Sequence, residues 1–548
     1  MQFTRRKFIK AAGLTALLGP LFGRELLALE NNSEQILGKA FLQVWRQTTL
    51  NKTIKFNAEN KHLETSSGED MTIRNDFLKS KLPLTKEPKS LLFFGHITDM
   101  HIIDEESPAR FAVLDSILTE LDISSSGFHP QEDLLFSSTD SMIRTLNRIS
   151  LQSNFDFLLN TGDSIDNAHK IELDWFTTAM SGGMIDPDSG KNEDPVPGLG
   201  NDGNDPLKVQ GLLSNIPFYA AVGNHDVLYQ GNIPPYLREV FNAIAEPILG
   251  KQFSIEDPVG NYSNGVIVPK GTPYNPDKLK PGKIVADPRR AALSSEEFIS
   301  SYINGGGERP VFGFPKSLAG EDLAYYSTKP RASTPLRLIV LDTTSRIGTA
   351  FGIIDQDQFE NFLIPELEEA KRAGELVIIA SHHPSNSIMT LSRAKKRMVD
   401  VCQSDAKMHR VVKQFAGHME ERKQTIDGNT FTQTLASYSN VVLHIVGHQH
   451  TNKITAIDGK HSGYWEVQTS SLIGFPQQAR LFEIVYEGNA IGAIHTCVVD
   501  HESSKNVLAT KCRELAHEDH SSYNDQSNRN TILRFDVPPE IAKKLEIL

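Results

Sequence analysis

The stretch N-V-V-L-H-I-V-G-H-Q-H, Asn440–His450, decides how the chain is read. Val441, Val442, Leu443, Ile445 and Val446 form a short, largely β-branched apolar run that Gly447 ends. That is the pattern of a buried strand stopping at a turn. In open α/β sheets, ligands sit just outside the carboxyl ends of the strands, so His448 and His450 stand where a site would be built. Alternate residues of an extended segment diverge. Two imidazoles one residue apart therefore serve two neighbouring metal ions more naturally than one.

Four other apolar runs end in polar groups of the same kind. Leu91–Ile97 leads into Thr98-Asp99-Met100-His101, and Phe155–Leu159 into Asn160-Thr161-Gly162-Asp163. Ile216–Val222 leads into Gly223-Asn224-His225-Asp226, and Leu376–Ala380 into Ser381-His382-His383-Pro384. The strand-end groups are Asp99, His101, Asp163, Asn224, His225, His382, His448 and His450. All offer oxygen or imidazole and none a thiolate, a set that suits Mn, Fe, Co, Ni or Zn ions and not a structural zinc of the cysteine type. Seven ligands, His225 apart, are too many for one tetrahedral ion. They match two ions that share a bridging carboxylate, about 3.5–4 Å apart, the spacing that clamps an in-line phosphoryl displacement.

In their order, D-x-H, G-D-x-x-(D/N), G-N-H-(D/E), H-x-P and G-H-x-H, these motifs resemble the signature of the calcineurin-like metallophosphoesterases. That superfamily includes purple acid phosphatases and cyclic-nucleotide phosphodiesterases. Here they read Asp99-Met-His101, Gly162-Asp163-Ser-Ile-Asp166-Asn167, Gly223-Asn224-His225-Asp226, His382-His383-Pro384 and Gly447-His448-Gln-His450, spanning the middle two-thirds of the chain. The resemblance implies that Asp99, His101, Asp163 and His450 hold one metal. It implies that Asp163, Asn224, His382 and His448 hold the other, with Asp163 bridging, and that His225 faces the substrate phosphate. The chemistry of the residues agrees. A carboxylate can bridge two cations, and the neutral oxygen of Asn224 leaves the metals' charge uncancelled. His225 can hydrogen-bond a phosphate oxygen or protonate a leaving alkoxide. A metal-bridging hydroxide, from water whose pKa falls to about 7, would be the nucleophile, with no covalent phospho-enzyme.

The implied fold is a four-layer α/β/β/α sandwich of the metallophosphoesterase type. The several late strands that read as antiparallel (Ile454–Ile457, Tyr464–Thr469, Leu481–Tyr486, Ala490–Val499) favour it over a plain doubly wound sheet. The domain reading is a signal segment at 1–28, an N-terminal extension at 29–90, the catalytic domain at 91–500 and a C-terminal extension at 501–548. Residues 227–332, after the third motif, are a long insertion without periodicity, read as a lid or cap.

At the N-terminus, Thr4-Arg5-Arg6-Lys7-Phe8-Ile9-Lys10 precedes a modest apolar run and resembles a bacterial twin-arginine export signal. The expected partners are the twin-arginine export machinery and a small phosphoester substrate, and the expected location is periplasmic or secreted. The apolar run is too short for a stable membrane anchor. A net charge of −12 with no evident basic surface argues against nucleic acid as the main partner. Cys402, Cys497 and Cys512 form no framework and read as free buried thiols, the alternative being a Cys497–Cys512 pair in an oxidising compartment.

Other positions take plainer readings. His96 and Trp465 are core residues, Asp342 makes a structural hydrogen bond, and Asp166, Asn167 and His169 line the pocket or cap the next helix. Gly198–Gly203 matches G-x-G-x-x-G formally, but it follows no strand and opens no helix. The alternative to a hydrolase is a non-catalytic binding or scaffold protein on the same fold, against which every motif position is filled. A redox protein is disfavoured by the lack of cysteine clusters and haem motifs.

Overall fold

Five apolar runs become the strands that position the strand-end groups, β1 (Lys89–Ile97), β2 (Phe157–Asn160), β3 (Phe218–Ala220), β5 (Leu376–Ala380) and β6 (Val441–Val446), and a sixth, β4 (Leu336–Val340), lies beside β5. The computed structural model describes residues 2–3, 38–57, 59, 62–79, 88–110, 127–190, 205–267, 280–307, 309, 311–419, 424–459, 462–519 and 528–548. The export signal, except Gln2 and Phe3, lies outside the described residues, as does the Gly198–Gly203 match.

β1, β2 and β3 are parallel neighbours in a nine-stranded sheet, and β4, β5 and β6 are parallel neighbours in a six-stranded one. Parallel strands covered on both faces read as continuous apolar runs, and β2 to β6 are buried at every position. The large sheet continues from β1 through the antiparallel pair Gln478–Gly488 and Ile491–Asp500, then Thr531–Asp536, Met71–Phe77 and Gln2–Phe3. The small sheet closes with Gly463–Gln468 parallel to β6 and Lys453–Asp458 antiparallel to that strand.

Side-chain alternation along the small sheet builds the layers. Leu338, Ile378, Leu443 and Trp465 join Phe94, Leu158 and Leu481 of the large sheet in one core between the sheets. Their neighbours Ile339, Val377, Ile379 and Val441 turn the other way, onto Phe359, Leu363, Leu367, Phe431 and Leu435 of flanking helices. Each fully buried aliphatic side chain contributes about 1.5–3 kcal/mol. Helices Leu135–Gln152 and Lys170–Ser181 bury Leu146, Ile149, Phe176 and Met180 against the large sheet's core. The fold is a mixed α/β sandwich of two sheets with helices outside.

Segments read as peripheral are built in. Met71–Phe77 and Thr531–Asp536, from the two extensions, pair in parallel within the large sheet. The insertion divides in two. Its first helix, Arg238–Leu249, packs on Ala406–Ala416 through Phe241 and Phe415, with ring centroids 5.4 Å apart, in a separate apolar cluster with Tyr229 and Ile233. Its second part is wall: Phe312–Gly313 extends the sheet beside β3, and the hydroxyl of fully buried Tyr302 lies 3.3 Å from Asn160 Nδ2. The insertion's two helices, Arg238–Leu249 and Ser295–Gly305, went unread in the sequence although the second opens with a capping box of Ser294 and Glu297.

Candidate metal centre

Backbone strain marks the place. Among the described residues Asp99, His101, Asp163, His448 and His450 all have positive φ, from 46° to 72°. A non-glycine residue adopts that conformation only when its surroundings over-determine it, and such residues cluster at functional sites. The motif glycines let the loops touch. A Cβ on Gly223 would lie 2.1 Å from Asp163 Oδ1, and one on Gly447 2.5 Å from Asp99 Oδ2.

Asp163 is central. Its Oδ1 accepts the His225 backbone N–H at 2.8 Å, and its Oδ2 faces His382 Nε2 at 3.1 Å and His101 Nε2 at 3.6 Å. Burial works against ionising Asp163, yet the imidazoles of His382, His225 and His101 outweigh it and hold the carboxyl far below its ordinary range. Asp99 is likewise held ionised against burial, chiefly by His450, whose Nε2 is 3.4 Å from its Oδ1. Asp99 also receives the Thr98 hydroxyl at 2.7 Å and the His448 backbone N–H.

The remaining groups are aimed by partners outside the cluster. Asn224 donates its Nδ2 to the Gly231 carbonyl at 3.1 Å, which turns Oδ1 inward to 2.9 Å from His382 Nε2. A Cβ on Gly231, whose φ is +66°, would lie 2.1 Å from that Nδ2. His382 is anchored through Nδ1 to the Thr161 carbonyl at 2.8 Å. Its neighbour His383 has both nitrogens occupied elsewhere, Nδ1 by the Thr343 hydroxyl at 2.8 Å and Nε2 by the Ala350 carbonyl at 3.1 Å. His382 is therefore the histidine of that pair that offers a nitrogen to the cluster.

The residues present fit a pair of metal ions. Asp99, His101 and His450 bring ligand atoms within 4.8 Å of one another, and so do Asp99, Asp163 and His382. His101 Nε2 is fully buried with no hydrogen-bond partner, a lone pair that only a cation on that side would use. Burial lowers the pKa of His101 to about 4 and that of His448 to about 3, so both are neutral. His448 stands with its ring 5.1 Å from that of His382. All eight strand-end groups come together, and His225 stands at the edge of the cluster, its ring 4.4 Å from that of His101.

Sequence reading undervalued two acids. Asp166 Oδ1 lies 2.7 Å from His101 Nδ1 and 3.0 Å from His225 Nδ1, so one carboxylate orients both rings. It caps no helix; His169 holds the cap position of the next one, without a side-chain bond. Asp226 accepts the backbone N–H groups of Asp163, Ser164, Ile165 and Gly223 and ties two motif loops together. The place of Asp166 three residues after Asp163, and of Asp226 directly after His225, was the available signal.

The plain readings describe the rest. Both His96 nitrogens meet hydroxyls, Thr469 at 2.7 Å and Thr161 at 2.9 Å, and Trp465 is fully buried. Asp342 pairs with Arg346 at 2.6 Å and accepts the Ala324 and Thr344 amides. All three cysteines are free and buried. Among the described residues, no helix is long and apolar enough to cross a membrane.

The profile of the calcineurin-like phosphoesterases matches residues 94–452, well over half of the chain. No curated protein matches in sequence. Among solved structures, the sulfate thiohydrolase SoxB of Thermus thermophilus aligns with a TM-score of 0.29 and 11% identity, over 80% of this chain and 62% of its own. A putative 5'-nucleotidase from Staphylococcus aureus aligns with a TM-score of 0.27 and 10% identity, over 78% of this chain and 58% of its own. The chain thus spans about three-fifths of the length of either.

Proposed function

The chain belongs to the calcineurin-like phosphoesterase family, a family of phosphoester hydrolases, and from that premise we propose that it is an exported dimetal hydrolase of phosphomonoesters or phosphodiesters. The observation that supports this reading is that Asp99, His101 and His450 bring ligand atoms within 4.8 Å of one another, as do Asp99, Asp163 and His382, while Asn224 Oδ1 lies 2.9 Å from His382 Nε2 and His448 groups with His382. When bound, two divalent or trivalent ions supply an acidic water for attack on phosphorus and neutralise charge on the phosphoryl oxygens.

The chain's own groups do the rest. Asp163 presents Oδ2 to both sides while the His225 amide fixes its other oxygen. Asp166 takes His225 Nδ1, by carbonyl and carboxylate alike at 3.0 Å, which leaves Nε2 for the substrate. Burial opposes the His225 imidazolium, but Asp163 and Asp166 outweigh it and raise the pKa to about 9. In the metal-free protein His225 therefore holds a proton on Nε2 at neutral pH. From there it can hydrogen-bond a phosphoryl oxygen and protonate the departing alkoxide.

Metal analysis of the protein purified from an exporting host, joined to a panel of phosphomonoesters and phosphodiesters, tests the reading. Two ions per chain and turnover on at least one ester class are expected; two ions with turnover on none would favour the scaffold alternative. Export rests on Arg5 and Arg6. Their joint replacement by lysine should retain the chain in the cytoplasm, and unchanged export would remove the twin-arginine assignment.

A further inference from the structure

The nine-stranded sheet carries a second concavity that none of the metal-site residues lines. It has a volume of about 900 Å3 and lies between the N-terminal hairpin Lys52–Ser67, the C-terminal half of helix Leu135–Gln152 and the segment Asp500–Thr510. That size is in the range of small-molecule sites. Four cations line it, Arg46, Lys52, Arg148 and Arg513, against two acids, Asp500 and Glu502.

The acids are already engaged. Asp500 accepts the Ile54 amide at 3.0 Å and the Gln478 side chain at 2.7 Å, and Glu502 accepts the Ser504 amide at 3.0 Å. None of the four cations is in an ion pair with a described residue. Arg46 lies over the Trp45 ring at 5.5 Å, and Arg148 donates to the Thr145 hydroxyl at 3.3 Å. Arg513 is the most telling of them. It is 2% exposed, its Nη2 donates to the His501 carbonyl at 3.1 Å, and its buried Nε has no partner. Asp500 and Glu502 act on Arg513 from a distance but neither makes a salt bridge with it, burial lowers its pKa, and it lies beneath a groove whose rim carries three more positive groups. A concave surface with an excess of positive charge, four cations to two acids, attracts anions. The hydroxyls of Thr145 and Ser504 line the same groove, as do the apolar side chains of Ile54, Leu63 and Leu151.

We propose that this groove is a second ligand site, separate from the metal centre, which takes a small molecule bearing a phosphate- or sulfate-type oxyanion. Arg46, Lys52 and Arg148 contact the anion over the positive floor made by Arg513, since guanidinium forks suit tetrahedral oxyanions. The apolar wall accommodates an organic substituent, because the volume far exceeds that of one anion.

The test uses metal-loaded full-length protein and the double variant Lys52→Gln/Arg148→Gln. Both positions are exposed and outside the metal site, so turnover of a small phosphoester should stay within about twofold. Calorimetric titration with inorganic phosphate should reveal two binding events per chain in the parent and one in the variant, with groove affinity lowered at least about tenfold, the weight of one charge-assisted pair. Crystals soaked in tungstate should show an anomalous peak beside Arg148 that the variant lacks. Phenylphosphonate identifies the source: tighter groove binding than phosphate assigns an organic ligand, and equal binding assigns the free anion. A single event in the parent, or a second event that the variant leaves untouched, would overturn the proposal.

Discussion

His101 and His382 flank the same oxygen of Asp163, at 3.6 and 3.1 Å, but a carboxylate holds the far nitrogen of one ring and a backbone carbonyl that of the other. The difference extends to protonation. Burial, together with the neighbouring His225, keeps His101 neutral, with a pKa of about 4. Burial works against His382 too, but Asp163 outweighs it and lifts its pKa to about 9. The metal-free cluster therefore has one side whose imidazole is ready to ligate and another whose imidazole must first lose a proton. Symmetry in the list of ligands hides asymmetry in the groups that hold them.

The largest expected effect removes what the two sides share. Asp163→Asn should release both metals and, with several kcal/mol of transition-state stabilisation gone, lower turnover by more than about three decades. Metal content by mass spectrometry checks it, and two ions retained would break the idea of a shared ligand. His225→Ala should cost about two to four decades in kcat with both ions kept; loss of metal would move His225 into the ligand set. Asp166→Asn sharpens the contrast, because it loosens His101 and leaves His382 anchored. One ion should bind about 10–100-fold more weakly and the other unchanged, read by chelator competition.

The pH dependence separates the two sides directly. Metal binding displaces the His382 proton, so affinity on that side should rise about tenfold per pH unit up to pH 9. His101 itself should add no pH dependence above about pH 5. Titration with a weak chelator at pH 6 should then retain one ion, and at pH 8.5 both. Removal of the metals reverses the sense for folding. The raised pKa values of His225 and His382 contribute stability to the metal-free protein that is full below about pH 6.5 and lost as pH rises through 9. The smallest effect concerns the neighbouring histidine. His383→Leu should keep both metals and near-parental turnover, while the stranded Thr343 hydroxyl and Ala350 carbonyl cost about 1–3 kcal/mol in urea unfolding. A lost ion in that variant would mean that His383, not His382, faces the centre.

Much of this centre was legible because each ligand pair is local. Asp99 with His101, or His448 with His450, needs only a strand, a turn and two residues, and apolar runs announce strands without help from the rest of the chain. What escaped was held by long-range partners. Asp166 read equally as a pocket residue or a helix cap, because helix starts are where aspartates gather; the loops from Asp99 and Asn224 folding over it bring two imidazoles to its carboxylate. The choice between His382 and His383 turned on Thr161 and Thr343, far away in sequence. In the same way Thr531–Asp536 looked terminal until it paired with both Met71–Phe77 and Ile491–Asp500.

The amino-acid order by itself determined the kinds of candidate ligand, their sequence along the chain and the strands that end in them, since these follow from side-chain chemistry and short continuous apolar runs. Tertiary structure alone decided which nitrogen of each ring faces inward, which acid supports it and where a second, cationic groove opens. Those depend on directions in space, set when segments hundreds of residues apart pack against one another and their buried polar groups find partners.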